Sequence, residues 1–233
     1  MVSTWEMAVV IGLTVLFIAL YALGSVWNKR IQRSFWRALS KELKRYSRRV
    51  SYKSFGSSGF KVAFRSSSAP FSKVEIDLVL LAREMPLYLL AAYATGRGDR
   101  VIVKANVPAR PDFHLEAFGR RSSLRREVEL KAGKFKHVEA GGLSKFMEVR
   151  STSPRRATEF LSKGVFERLM AVRRCLERFS ISKQEPHVLI VCRRDEAMVG
   201  PVLDLLETTA KALRELSGAP GAEAPTRGRR GRR

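Results

Sequence analysis

The sequence is poor in the residues that most often build metal and redox sites. Its 233 residues include two cysteines, Cys175 and Cys192, and three histidines. The cysteines stand in neither a paired nor a metal-ligand spacing, so we predict buried, reduced thiols in a reducing compartment. The histidines, His114, His137 and His187, are far apart, and none lies near a paired carboxylate. The sequence therefore predicts no metal and no cofactor.

Recognisable catalytic motifs are also missing from the sequence. The segment GRGD at Gly96 lacks the third glycine of a dinucleotide-binding loop and does not lie between a strand and a helix. No Gly-Lys-Ser/Thr segment and no serine nucleophile elbow occurs. Glu75 and Asp77 share one face of a predicted strand, where a solvated face is commoner than a catalytic pair. We expect a protein without enzymatic activity, and a membrane-anchored enzyme with an unrecognised site is an alternative.

Negative charge is scarce relative to positive charge. The chain has 44 Lys and Arg against 22 Asp and Glu, which gives a net charge of +22. Residues 28–53 carry +9 of this charge and residues 54–217 carry +10. Self-repulsion opposes compaction, so the fold alone does not explain the excess. The charge predicts an anionic partner, either nucleic acid or an anionic lipid surface.

Charge is absent altogether from Met7–Asn28. The segment MAVVIGLTVLFIALYALGSVW, Met7–Trp27, is long enough to cross the hydrocarbon core of a bilayer as a helix. Trp5 and Trp27 stand at its two ends, where amphipathic rings favour the headgroup level. Residues 1–28 are therefore predicted to be an N-terminal transmembrane anchor.

A cleaved signal peptide is the alternative interpretation of this segment. Ala22 and Gly24 could imitate a cleavage site, but no Lys or Arg precedes the apolar stretch, which is longer than the usual signal core. As a span, the segment has only Glu6 as a charged side chain before it and nine net positive charges after it. Because Lys and Arg near a span stay in the cytoplasm, we expect an outside N-terminus and a cytoplasmic domain at the cell membrane.

The segment WNKRIQRSFWRALSKELKRYSRR, Trp27–Arg49, lies in a region, residues 29–53, that is predicted to form a basic amphipathic helix. Its apolar stripe is Ile31, Phe35, Leu39, Leu43, Tyr46 and Val50. On the opposite face lie Arg30, Arg33, Arg37, Lys41, Lys44 and Arg48, which we call the basic ladder. An ordinary solvated face would allow mixed signs. The ladder is a candidate site for ribosomal RNA, other nucleic acid or anionic lipid, although it could also serve topology alone.

Residues 54–217 are predicted to form a cytoplasmic α+β domain. Alternating segments such as FKVAFRS, KVEIDLVLL and RVIVKANV read as strands, and helical segments stand between them. One long helix is predicted from Ser153 to Phe179, with Leu176 and Phe179 on its apolar stripe. The expected architecture is an antiparallel sheet with helices packed on it.

Residues 218–233 are predicted to be a disordered tail rich in Arg and Gly. The candidate phosphate-binding residues there are Arg227, Arg229, Arg230, Arg232 and Arg233. A tail that serves only as a solubilising extension is the alternative.

Several local segments resemble the calumin family, coiled-coil-containing membrane proteins of the translocon-associated PAT intramembrane chaperone complex. These segments are FWRALSKEL, GRGDRVIVKANV, FHLEAFGRRSSLRREVE, FLSKGVFERLMAVRR and HVLIVC. The resemblance covers about residues 20–217. The family also has an acidic segment on the far side of the membrane, where this chain has a short leader. It ends in a long coiled coil, where this chain has an Arg-Gly tail. The pattern is that of a minimal archaeal relative.

The resemblance implies a non-enzymatic protein that docks on the ribosome beside a SecY-type translocon and assists insertion or chaperoning of multipass membrane proteins. The implied partners are ribosomal RNA, the translocon, client multipass membrane proteins and a small membrane-protein partner. The alternative function is a single-pass, membrane-anchored scaffold that binds anionic lipid or nucleic acid through its basic face.

Overall fold

The computed structural model describes residues 3–65, 70–120 and 122–218. The helices are α1 (Thr4–Leu43), α2 (Pro86–Ala94), α3 (Arg125–Ala132), α4 (Pro154–Phe160), α5 (Phe166–Val172) and α6 (Val199–Leu216). The strands are β1 (Ser51–Ser54), β2 (Gly59–Arg65), β3 (Lys73–Val79), β4 (Arg100–Asn106), β5 (Leu115–Gly119), β6 (Lys136–His137), β7 (Met147–Ser151), β8 (Leu176–Ile181) and β9 (Val188–Arg193). The five arginines predicted to bind phosphate in the tail lie outside the described residues.

Within the described ranges, the nine strands form one sheet in the order β1-β2-β3-β4-β9-β8-β5-β7-β6. Every neighbouring pair is antiparallel. The second half of α1 packs with α4, α5 and α6 on one face of the sheet. On the other face α3 covers β5, where Phe118 packs against Val128 and Ala132. The predicted α+β class with an antiparallel sheet is confirmed.

Helix α1 is one continuous helix of 40 residues. In the described part of the chain it is the one helix long and apolar enough to cross a membrane, with a mean hydropathy of 2.5 over its best window. Side chains in its first half are exposed, whereas Ile31, Phe35 and Leu39 in its second half are buried in the domain core. The candidate span and the first element of the domain are therefore a single rod.

The helix ends at Leu43, earlier than the sequence pattern indicates. The chain turns there because Tyr46 packs its ring against Phe64 and Phe71, with centroids 6.5 and 5.7 Å away. Strand β1 then follows inside the range 29–53, so the juxtamembrane region is part helix and part sheet edge. Lys44 and Arg48 of the ladder lie in the turn after the helix.

The single helix predicted from Ser153 to Phe179 is wrong. The structure has α4, an irregular turn and α5, because Gly164 adopts φ +79° and interrupts the regular backbone. Leu176 and Phe179 lie on strand β8, all six residues of which are buried between β5 and β9. The strand does alternate, since Arg178 and Ser180 bind Glu116 on one face whereas Phe179 and Ile181 face the core. The alternation covers only four residues, and Leu176 and Phe179 meanwhile continue the spacing of the helical stripe.

Candidate polyanion-binding surface beside the membrane span

All six side chains of the basic ladder are exposed. Arg30, Arg33, Arg37 and Lys41 project from the face of α1 opposite its buried stripe. Among the residues that the structure describes, none of the six ladder side chains makes an ion pair or hydrogen bond. Glu42, the acidic residue of the segment, accepts instead from Arg45 Nη1 at 3.1 Å. The ladder is therefore a row of uncompensated positive charge.

Lysines of β2, β3 and β4, unlike the cations of the ladder, are paired with carboxylates. Glu75 accepts from Lys73 at 2.6 Å and from Lys61 at 3.2 Å. Asp77, its neighbour along β3, accepts from Lys104 at 3.0 Å. The lysine hydrogen bonds, that of Lys73 first, lower the pKa of Glu75. The acidic pair considered above as catalytic is thus neutralised by lysines of β2, β3 and β4.

The ladder extends well beyond the end of the candidate span. At 1.5 Å rise per residue, Arg33 lies about 9 Å along the helix from Trp27, and Lys41 lies about 21 Å from it. A typical helix tilt of about 20° shortens these heights by less than about a tenth. Charges further than about 8 Å from a surface are largely screened at physiological ionic strength. With Trp27 at the headgroup level of a bilayer that the candidate span crosses, only the first rungs would reach headgroups, and the later rungs would face a space beyond them.

A polar cluster on the opposite face of α1 fixes the helix to the domain. Asn28 is fully buried, and its Nδ2 donates to the Leu81 carbonyl at 2.8 Å. Its Oδ1 accepts from Arg83 Nη1, also at 2.8 Å. The same guanidinium binds both carboxylate oxygens of Asp99 at 2.8 and 3.0 Å. One turn further along α1, the Gln32 amide donates to the Gly56 carbonyl at 2.8 Å.

The contact between helix and domain continues into the apolar span. Gly24 lies so close to the segment before α2 that an added Cβ would stand 2.4 Å from the Arg83 carbonyl carbon and oxygen. The Arg83 guanidinium also lies over the Trp27 ring, 5.6 Å from its centroid. On another side of the helix, a groove between Trp27 and Arg194 opens at the same level. The domain thus sits directly against the last turn of the candidate span.

The sequence did not indicate this cluster. Asn28 ends the uncharged run, and Arg83 and Asp99 are 55 and 71 positions away from it along the chain. The signal available was the position of Asn28 and Gln32 on the apolar stripe, since polar residues there need partners when buried.

The structure brings the two cysteines together, which their spacing did not show. Both thiols are free and buried, which confirms the prediction of burial. The hydrogen bond that the Cys192 thiol donates to Cys175, together with burial of the group, raises the pKa of Cys192 well above its ordinary value. His187 is buried as well, and its Nδ1 accepts from the Val107 amide at 3.2 Å. Among the described residues, no group of three or more His, Cys, Asp or Glu side chains is arranged to hold a metal ion.

No family model matches the sequence, and no curated protein is similar to it. One solved structure that resembles the chain is the crystal structure of the mycobacterial trehalose monomycolate transport factor A, TtfA. The two share 11% sequence identity and superpose with a TM-score of 0.46, over 79% of this chain and 94% of that one. A likeness at that level says nothing about function, and the surface described above has to be interpreted from its own geometry.

The close approach at Gly24 leads to a test of the docked helix. Gly24→Ala should lower the midpoint of thermal unfolding by several degrees, since overpacking against backbone typically costs about 1–3 kcal/mol. The measurement is near-UV circular dichroism of the full chain in mild detergent.

Gly12→Ala is the matched control, because Gly12 lies in the same helix with nothing within 4 Å of an added Cβ. Both substitutions improve helix propensity alike, so the difference between the two midpoints reports the clash. Equal midpoints would show that α1 is not docked at Gly24.

Proposed function

We propose that this protein is a non-enzymatic, membrane-anchored RNA binder whose partner is the ribosome beside a SecY-type translocon. In that position it assists insertion or chaperoning of multipass membrane proteins. The observation that carries the proposal is the basic ladder. Its exposed cations, which the described structure leaves without ion pairs, follow a helix from Arg30 to Lys41 and continue into the turn after it; that helix is continuous with the candidate span and clamped to the domain.

The height of the ladder favours RNA over lipid as its main partner. Lys41 and Lys44 stand about 20 Å or more from Trp27 along the chain, beyond the reach of headgroup charge. A ribosome at a translocon would place phosphate groups in that space. Each phosphate contact releases counterions, so several weak contacts on a rigid row add up to strong, salt-dependent binding.

Anionic lipid is the second candidate, and it is favoured by the first rungs. Lys29, Arg30 and Arg33 are exposed within about 9 Å of Trp27, where each cation contributes about 1 kcal/mol near an anionic leaflet. A scaffold held on lipid would use these residues alone. The rungs farther from the membrane, Arg37, Lys41, Lys44 and Arg48, would then have no partner.

The resemblance to the calumin family supplies the identity of the RNA-containing partner. It also supplies the translocon, the client multipass proteins and a small membrane-protein partner. This chain differs from the family at both ends. The proposal that the tail arginines bind RNA therefore rests on their charge and not on the resemblance.

The proposed topology places the N-terminus outside the cell membrane and the domain in the cytoplasm. A protease added to intact cells or right-side-out vesicles should therefore leave residues 28–233 uncut. Permeabilised cells are the control and should show digestion. Cleavage within the domain in intact cells would show the opposite orientation, in which the domain could not meet the ribosome.

The ladder itself is tested by neutralising Arg33, Arg37, Lys41, Lys44 and Arg48 with Gln. These side chains are exposed and make no hydrogen bond or ion pair in the described structure, so thermal stability should change little. Ribosome co-sedimentation should weaken. The slope of log affinity against log salt should become shallower by roughly 0.7–0.9 per lost contact, up to about four units.

A matched control removes the same charge from other exposed side chains that make no ion pair or hydrogen bond in the described structure: Arg110, Arg126, Lys134, Lys136 and Arg155, each to Gln. Equal loss in both variants would show that net charge, and not the ladder, drives binding. If the ladder variant binds ribosomes normally but loses affinity for phosphatidylglycerol vesicles, the lipid alternative is correct.

Deletion of residues 219–233 tests the tail. Five arginines among glycines have no apolar neighbours to bury, so the thermal midpoint should stay within about a degree while the salt slope on purified ribosomal RNA becomes shallower. An unchanged slope would identify the tail as a solubilising extension. A large fall in the midpoint would mean that the tail is docked on the domain.

A further inference from the structure

Helix α2 presents an apolar surface that nothing in the described structure covers. Its sequence, PLYLLAAYA, contains no charged residue, and only Ala92 among its nine residues is buried. Leu87 is 79% exposed and Leu90 is 67% exposed. Met85 and Tyr93 are also more than half exposed beside them. Contiguous apolar surface of this kind normally marks an interaction site or a membrane contact.

The position of α2 identifies what covers it. The segment before it is pressed against α1 at Gly24, inside the uncharged run that forms the candidate span. Gly24 precedes Trp27 by three residues, or about 4.5 Å along the helix, on the membrane side. Since α2 begins only two residues after Glu84, it starts at the level of the last turn of the span.

The backbone of α2 suits an environment with little water. At its C-terminal end, the Gly96 amide donates to the Tyr93 carbonyl and the Arg97 amide to the Ala92 carbonyl, at 3.0 and 2.9 Å. Thr95 Oγ1 donates to the Ala91 and Ala92 carbonyls, both at 3.0 Å. Gly96 has φ +66°, which this Schellman arrangement requires. The Ala91, Ala92 and Tyr93 carbonyls, which a helix end often leaves to water, are therefore hydrogen-bonded within the chain, which lowers the cost of placing this end near lipid.

One cationic group and two tyrosine rings border the apolar surface. Arg97 is exposed just after α2. Tyr88 and Tyr93 add rings that place a hydroxyl at a headgroup and a body in the acyl region. An apolar centre with a rim of this kind matches the boundary between acyl chains and anionic headgroups.

We infer that α2 lies in the interfacial layer of the same membrane that α1 spans, as a second, monotopic membrane contact. Leu87 and Leu90 insert among the upper acyl chains, and Arg97 binds lipid phosphate. Only the membrane-spanning part of the proposed function is needed for this contact, and the ribosome is not.

The test uses three single-cysteine additions to the full chain, each labelled with the fluorophore NBD and reconstituted into vesicles of equal parts phosphatidylcholine and phosphatidylglycerol. Leu90→Cys reports α2. Leu130→Cys is the water-exposed control, because Leu130 is 87% exposed on α3. Leu16→Cys reports the span. Labelled wild type gives the background from Cys175 and Cys192, which are buried.

Quenching is measured with lipids that carry a nitroxide high on the acyl chain, and separately with iodide on both sides of the membrane. The Leu90 label should be quenched by the nitroxide lipid at least several-fold more than the Leu130 label, and it should be protected from iodide. The Leu16 label should be protected from iodide as well.

Three outcomes would overturn the inference, and they are distinguishable. Iodide quenching at Leu90 equal to that at Leu130 would place α2 in water. Protection of the Leu90 label from both quenchers would show that a protein surface, either a partner or a second copy, covers α2. Iodide quenching at Leu16 would mean that α1 does not span, so that the proposed function itself fails.

Discussion

The placement of the domain against the candidate span depends on the guanidinium of Arg83. It is buried between the Asn28 carboxamide of α1 and the Asp99 carboxylate that precedes β4, and it lies over the Trp27 ring. Burying an ion pair is costly, and in the described structure Arg83 Nε has no hydrogen-bond partner. Removing Asp99 would leave an uncompensated buried charge, at a cost of about 3–5 kcal/mol. The pair therefore does less for net stability than for specificity, since only one position of α1 satisfies Asn28, Arg83 and Asp99 together.

This constraint fixes the orientation of the domain relative to the candidate membrane anchor. Anchors joined to their domains by flexible linkers leave the domain free to reorient, whereas α1 passes from the apolar run into the core as one helix. Phe35 and Leu39 hold its far end in the core, and the Arg83 cluster holds the end beside the span. The distances of Arg30, Arg33, Arg37 and Lys41 from the candidate span are then set by helical rise, which is why distance separates the cations proposed to bind lipid from those proposed to bind RNA.

The sequence predicts those parts of the structure whose signal is local. The stripe Ile31, Phe35, Leu39 and the exposed ladder follow from a period near 3.6, and the antiparallel strands follow from alternation. Strand β8 was missed because its alternation from Arg178 to Ile181 covers only four residues, while Leu176 and Phe179 continue the spacing of the helical stripe before it. The Arg83 cluster could not be predicted because its members meet only once β3 and β4 are paired and α1 is docked. The apolar content of α2 is visible in the sequence, but its exposure depends on where the sheet places it.

The basic ladder and the exposed apolar surface of α2 lie on opposite sides of α1 in the described structure. Gly24, Asn28 and Phe35 share the face that meets the domain, and through the segment before α2 that face leads to the apolar helix. Arg33, Arg37 and Lys41 point the other way, about half a turn around the helix. A lipid contact through α2 would limit the tilt of the rod on the domain side and would leave the ladder side unobstructed. An RNA partner could then approach the cations from the cytoplasm without competing with the membrane for the same face.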